Sequence, residues 1–143
     1  MFVESILKHK GADVTTIAPE ASIKSAADWL CAKNIGCLVV TSGETILGLI
    51  SEREIVYAFS RHGETAAAMS VKEVMRLGVT TVTPDESVSR VMNLMTRHRV
   101  RHLPVLRNGK LAGIISIGDV VKRRLEDLEL ETNVLRDAYI AAR

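Results

Sequence analysis

The sequence predicts an α/β (α+β) fold, two tandem βαββα units packed about a pseudo-twofold axis and followed by an amphipathic C-terminal helix. The first observation is a repeat. Val14-Thr15-Thr16-Ile17-Ala18-Pro19-Glu20 recurs as Val79-Thr80-Thr81-Val82-Thr83-Pro84-Asp85, an offset of 65 residues. The second is that the offset holds without a gap. Residues 14–57 laid on 79–122 give 11 identities in 44 positions, among them Ser22 with Ser87, Leu38 with Leu103, Gly48 with Gly113 and Ser51 with Ser116. The third is that β-branched stretches and helically spaced apolar residues alternate in the same order in both copies.

Each copy opens on a strand, Val14 to Ile17 or Val79 to Val82, that ends at a proline where a helix can start. Ile23, Ala26, Ala27 and Leu30 then fall at i, i+3, i+4 and i+7, as do Val88, Val91, Met92 and Met95, so each helix buries one face. Paired apolar runs follow: Cys37 to Val40 with Ile46 to Ile50, and His102 to Leu106 with Leu111 to Ile115. The turns between them, around Ser42-Gly43-Glu44 and Arg107-Asn108-Gly109, make each pair a hairpin. A last helix opens at Ser51 in one copy and at Ser116 in the other.

Between the copies, Arg61-His62-Gly63-Glu64 reads as a loop and Ser70 to Met75 as a short helix. Val3-Glu4-Ser5-Ile6-Leu7 repeats that helix at the N-terminus, with three more residues before the strand in copy one. After copy two, Val121, Leu125, Leu128, Leu135 and Tyr139 mark a tail helix whose apolar stripe needs a partner surface. The predicted division is 1–62 for the first repeat, 63–127 for the second and 128–143 for the helical extension. One unit alone leaves an apolar face that the other can cover, so a single body is expected.

With 143 residues, 47% of them apolar and only 3% aromatic, the chain can close one aliphatic core. A net charge of +2 gives no broad field for a polyanion, and no recognition helix is evident, so a nucleic-acid partner is not expected. No run approaches about 18 apolar residues and the N-terminus lacks a signal-peptide layout, which reads as a soluble, cytoplasmic protein without a membrane partner. Cys31 and Cys37 form no CxxC pattern and read as two buried, reduced thiols. Nothing places a third ligand beside His98 and His102, so no metal is assigned.

Arg101-His102-Leu103-Pro104-Val105 with Gly113-Ile114-Ile115-Ser116-Ile117-Gly118-Asp119 resembles the CBS domain, named after cystathionine β-synthase; two in tandem make a Bateman module. The resemblance covers roughly residues 2 to 125. It implies two symmetry-related clefts for an adenine nucleotide, AMP first, with ADP, ATP, NAD or S-adenosylmethionine as alternatives, and a homodimer. Carried to matching positions, it makes Asp119 the ribose ligand, Ser116 a phosphate-side or ribose-side contact, and Thr81, Val82, Val100, Arg101, His102 and Pro104 the adenine frame. The first-copy positions are Thr16, Ile17, Gly36, Cys37, Ser51, Arg53 and Glu54. There Glu54 replaces the aspartate, Val39 the proline and Gly36 the arginine, so the main site is expected in copy two.

Each of these residues has a plainer reading. Ser-x-x-Asp ahead of an apolar helix is also a capping box, and the two roles are compatible because a helix N-terminus attracts phosphate. Arg53 is either a phosphate ligand or a solvated charge paired with Glu52 or Glu64. Arg97-His98-Arg99-Val100-Arg101-His102 is a solvated helix end, a phosphate-binding edge or a nucleic-acid patch. Lys122-Arg123-Arg124 with Glu126 and Asp127 is a mixed-charge helix face.

Three functions compete. A regulatory sensor of adenine nucleotides acts through a protein partner or a dimer rearrangement. A ligand-independent dimerisation or scaffold module uses the tail helix. An enzyme is disfavoured, because no P-loop, GxGxxG, GxSxG or metal-ligand set is present and no catalytic residue is assigned.

Overall fold

The computed structural model describes residues 1–142. The first half comprises helix α1 (Val3–Lys10), strand β1 (Thr16–Ile17), helix α2 (Ile23–Lys33), strands β2 (Cys37–Ser42) and β3 (Thr45–Ser51), and helix α3 (Glu52–His62). A 3-10 helix (Gly63–Ala68) and a short helix α4 (Val71–Val74) lead to the second half. That half comprises α5 (Val88–His98), β4 (His102–Arg107), β5 (Lys110–Ser116) and a 25-residue helix, α6 (Ile117–Ala141). The predicted final helix and tail are thus one helix; Arg143, the last residue of the predicted extension, lies outside the described residues.

Both hairpins form in the same register. Cys37 pairs with Ser51 and His102 with Ser116, and each ladder carries an irregularity at the same place, after Val40 and after Val105. The first strand is the main correction to the sequence reading. It starts at Thr16 rather than Val14, and the stretch from Val79 makes only a single parallel bridge, Val82 with Val105. Pro104 explains the difference between copies. In copy one the Val39 N–H donates to the Thr15 carbonyl at 3.2 Å; Pro104 stands at the matching position and has no N–H to give. A second correction concerns Arg61 and His62, read as loop but occupying the last turn of α3, with the turn made at Gly63 (φ 57°).

The small helices are exchanged. Val3, Ile6 and Leu7 of α1 are buried in the core of the second copy, with Val91, Met95, Leu103 and Ile115. Val71 of α4 is buried in the core of the first, with Ile23, Leu38, Val40 and Ile50. Matching backbone bonds fix both junctions. The Val3 N–H donates to the Glu86 carbonyl at 2.9 Å and the Val88 N–H to that of Met1 at 3.0 Å; the Val71 N–H donates to that of Ala21 at 2.7 Å and the Ile23 N–H to that of Met69 at 2.9 Å. Burying a side chain the size of Val, Ile or Leu stabilises by about 1.5–3 kcal/mol, so three of them hold α1 on the far copy.

Alternation along the strands builds the seam. Leu38, Val40 and Ile50 face the first core, while Val39 and Leu49 point the other way, against Leu111 and Ile114 of the second copy. Residues at the rim of this seam, where strands give way to α3 and α6, therefore come from both repeats.

Candidate functional site

Two helix starts flank the seam. At the first, Ser51 caps α3 and Glu54 folds back on it: the Ser51 N–H and hydroxyl donate to Glu54 Oε1 at 2.9 and 2.8 Å. At the second, the Asp119 N–H donates to Ser116 Oγ at 3.1 Å and the Ser116 N–H to Asp119 Oδ2 at 2.9 Å. The capping reading of Ser116 and Asp119 therefore holds, and the first copy forms the same box with Ser51 and Glu54.

A cavity of about 550 Å³ opens at the first helix start, a size that accommodates a nucleotide. Its walls are Gly36, Cys37, Leu49, Ser51, Glu52, Arg53, Glu54 and Val56 of the first copy, Arg99, Val100, Arg101 and His102 of the second, and Arg76 between them. Eight sequence-predicted residues thus meet: Gly36, Cys37, Ser51, Arg53, Glu54, Val100, Arg101 and His102. The others do not line it. Ile17, Val82 and Pro104 are buried, Thr16 is exposed on β1 and Thr81 is exposed just before the Val82 bridge, and Ser116 and Asp119 belong to the second helix start.

Local structure explains how the second copy reaches this cavity. Helix α5 ends at Arg99 in the left-handed conformation (φ 54°), as α2 ends at Asn34 (φ 51°), and that turn sends residues 99–102 across the seam. Of the readings open for the basic stretch, the helix end is observed, and its Arg99, Arg101 and His102 edge the cavity. Among the described residues, Arg53, Arg99 and Arg101 make no ion pair, and Arg76 Nη2 donates to the His98 carbonyl at 3.2 Å. Arg53 therefore does not pair with Glu52 or Glu64. Four guanidiniums border one cavity with two carboxylates, Glu52 and Glu54, an excess of positive charge that suits an anion.

Two further walls, His102 and Cys37, bring no charge. Burial, then the positive charge of Lys10, outweighs the pull of Asp119 and Glu54 and lowers the His102 pKa below its ordinary value. A neutral imidazole both donates and accepts, as an adenine edge requires. Burial, helped by Glu54, pushes the Cys37 thiol up to about 12, so it serves as wall and not as nucleophile. Cys31 departs from the sequence reading: it is exposed, because it lies just past Leu30 on the outer side of α2.

At the second helix start Lys10, the last residue of α1, donates from Nζ to Asp119 Oδ2 at 2.6 Å and to the Ile114 carbonyl at 2.8 Å. Burial raises the Asp119 pKa, but the bonds from Lys10 and Ser116 outweigh it and hold the carboxyl below the usual range. The hollow on that side, bordered by Ile6, His9, Lys10, Asp119, Lys122, Arg123 and Glu126, measures about 100 Å³. Arg123 there approaches Asp127 at 3.9 Å and Glu126 at 4.0 Å, the mixed-charge face read from the sequence. Sequence reasoning missed Arg76 and Lys10. Arg76 follows the short helix α4 with no motif to flag it, whereas Lys10 had a signal in the three extra residues of copy one.

Another hollow of about 560 Å³, beside Phe2, Pro84 and Asn108, has its main charges already paired, Arg107 with Glu4 at 2.7 Å. Among the described residues no group of three or more His, Cys, Asp or Glu is placed to hold a metal ion, and no helix is long and apolar enough to cross a membrane.

Comparison with known proteins agrees with this architecture. The CBS domain profile matches residues 3–61 and 71–126. The crystal structure of a CBS-domain containing protein of Agrobacterium tumefaciens matches with a TM-score of 0.85 at 43% identity, over 87% of this chain and 99% of that one. The mitochondrial CBS domain-containing protein CBSX3 of Arabidopsis thaliana is 32% identical over 96% of this chain and 71% of its own length. The CBS domain pair of protein MJ0100, solved in complex with 5′-methylthioadenosine and S-adenosyl-L-methionine, shares the fold with a TM-score of 0.76 at 24% identity, over 85% and 98% of the two chains. With both of its repeats matched and its fold shared along nearly the whole chain, this protein belongs to the CBS domain family as a tandem pair.

Proposed function

We propose that this CBS pair is a regulatory sensor that binds an adenine nucleotide in the Glu54 cavity and performs no chemistry on it. The observation that carries the reading is the cavity itself, where a carboxylate in the first turn of α3 lies beside Arg53, Arg76, Arg99 and Arg101, with walls from both repeats. Glu54 Oε2 has no hydrogen-bond partner among the described residues and is available to ribose hydroxyls. The arginines and the N–H groups at the start of α3 suit phosphate. A pair of the same fold holds two adenosine compounds in MJ0100, which supports the class of ligand. The positive border favours AMP, ADP, ATP or NAD over the cationic sulfonium of S-adenosylmethionine. A ligand bridging both repeats stiffens their relative placement, and that is the signal a partner protein or second subunit reads.

The test is a thermal-shift panel of AMP, ADP, ATP, NAD and S-adenosylmethionine on wild type, Glu54→Ala and Arg53→Ala. A nucleotide at 100 times its Kd stabilises by about 2.7 kcal/mol. Loss of that shift in Glu54→Ala supports the assignment, and an equal shift in all three proteins rejects it. A second reading, a ligand-indifferent homodimer formed through α6, is favoured by the exposure of Val121, Leu125, Leu128 and Leu135 on that helix. Sedimentation with and without nucleotide separates the two, since only a sensor changes with occupancy.

A further inference from the structure

The two helix starts correspond residue for residue under the 65-residue offset, so Asp119 matches Glu54 and Ile114 matches Leu49. Leu49 and Glu54 both border the open cavity. At their counterparts stands the ammonium of Lys10, held by the Asp119 carboxylate at 2.6 Å and the Ile114 carbonyl at 2.8 Å. We propose that Lys10 is the residue that sets how many nucleotides the pair takes, closing the Asp119 cleft and leaving the Glu54 cavity as the one site per chain. The proposal rests on the nucleotide reading of the Glu54 cavity.

The cause lies in the length of α1. Its counterpart α4 ends at Val74, and the extended chain after it lays Arg76 against Leu49, each donating its N–H to the other's carbonyl at 2.8 and 3.1 Å. That backbone bridge satisfies Leu49 and brings no ammonium to Glu54. With three more residues before its strand, α1 stays helical through Lys10, and the Ile114 carbonyl takes a side-chain donor instead. The Lys10 side chain is only 30% exposed and that of Asp119 23%. Val3, Ile6 and Leu7 fix the helix that carries Lys10 in the second core, so the ammonium is delivered by a rigid element. Oδ2 accepts from the ammonium and from the Ser116 N–H, and although Oδ1 is left open as Oε2 is in Glu54, Asp119 differs in having its charge neutralised and its approach occupied by Lys10.

The experiment is binding stoichiometry by calorimetry and equilibrium dialysis with AMP and ATP, on wild type, Lys10→Met, Lys10→Gln and Lys10→Met/Asp119→Ala. Methionine keeps the apolar stem, and glutamine provides a second variant should methionine perturb α1. One site per chain in wild type, two in either Lys10 variant and one again in the double variant is the expected result, with affinity at the new site raised at least tenfold. Two sites in wild type overturns the proposal. A single site in both Lys10 variants also overturns it while leaving the Glu54 reading intact. No binding to any variant defeats both, whereas a site seen only in the Lys10 variants and lost with Asp119→Ala defeats the Glu54 reading and sustains the role of Lys10.

Discussion

Gly48 lies directly beneath the Arg76 carbonyl: a β-carbon on Gly48 would stand 2.7 Å from that oxygen and 2.8 Å from Met75 Sδ. The matching Gly113 faces the other exchanged helix, where a β-carbon would meet Leu7 Cδ2 at 2.6 Å. The repeat keeps glycine at both places because a small helix, or the chain leaving it, packs there on the hairpin. The two neighbours differ in how far they can yield. A backbone carbonyl in a bridge moves only with its chain, while a Leu methyl swings aside. Gly48→Ala should therefore cost about 2–3 kcal/mol and Gly113→Ala about 1 kcal/mol, within the range for overpacking a core. Chemical denaturation of both variants measures the difference; equal losses would mean that α4 and α1 are equally free to shift.

Arg99 adopts a left-handed backbone (φ 54°) at the end of α5, where its counterpart in copy one is Asn34. Asparagine tolerates that conformation better than a long side chain. Arg99→Asn is expected to stabilise the protein by about 0.5 kcal/mol while weakening ATP binding several-fold, because Arg99 borders the Glu54 cavity. A residue that costs stability and aids binding moves the two readouts in opposite directions. If melting temperature and ATP affinity fall together, Arg99 is a structural residue only.

Much of this was legible from pattern alone. The repeat gave both hairpins and both amphipathic helices, because their signals are local: apolar spacing, turn residues and capping serines. The exchange of α1 and α4 was not legible, since it rests on which surface each small helix covers, a choice made by packing between residues far apart in the sequence. The loss of the third strand in copy two follows from one missing N–H at Pro104, a feature present in the sequence whose consequence needs the partner strand. The order of the two clefts followed family resemblance, which favours the aspartate at 119 over Glu54. The structure surrounds Glu54 with open volume and engages Asp119 with Lys10. Motif residues are visible in a sequence; a cation arriving from a helix more than a hundred positions away is not.

The two cysteines should separate cleanly in reactivity. Cys31 is exposed, whereas Cys37 is buried with its thiol pushed up to about 12. Thiolate is the reacting form, so at pH 8 iodoacetamide should modify one thiol per native chain, mapped to Cys31 by peptide mass, and both only in denaturant. Rapid native labelling of Cys37 would show that the wall of the Glu54 cavity opens readily. Because Cys37 borders that cavity, any slow labelling of it should slow further with saturating nucleotide.

The Lys10 to Asp119 pair gives stability a pH dependence whose sign is fixed by the Asp119 carboxyl. Burial raises its pKa, yet the bonds from Lys10 and Ser116 bring it below the usual value. A carboxyl lowered in the folded state stabilises the fold at every pH above its unfolded value, about 3.9, and loses that contribution as pH falls through the folded value. Wild type should therefore exceed Lys10→Met in stability by about 1 kcal/mol at neutral pH, the upper end for partly exposed pairs. The gap should stay flat from about pH 8 to pH 5 and close below about pH 4. The other charges around the pair, His9, Lys122, Arg123 and Glu126, are present in both proteins and cancel to first order in the difference. His9→Gln and Glu126→Gln backgrounds serve as controls for these neighbours. Melting temperatures of wild type and Lys10→Met across that range decide the matter. A gap that persists undiminished at pH 2 would place the stabilising effect of Lys10 in its packing against α6 rather than in its charge, and the Asp119 cleft would then be closed by bulk alone.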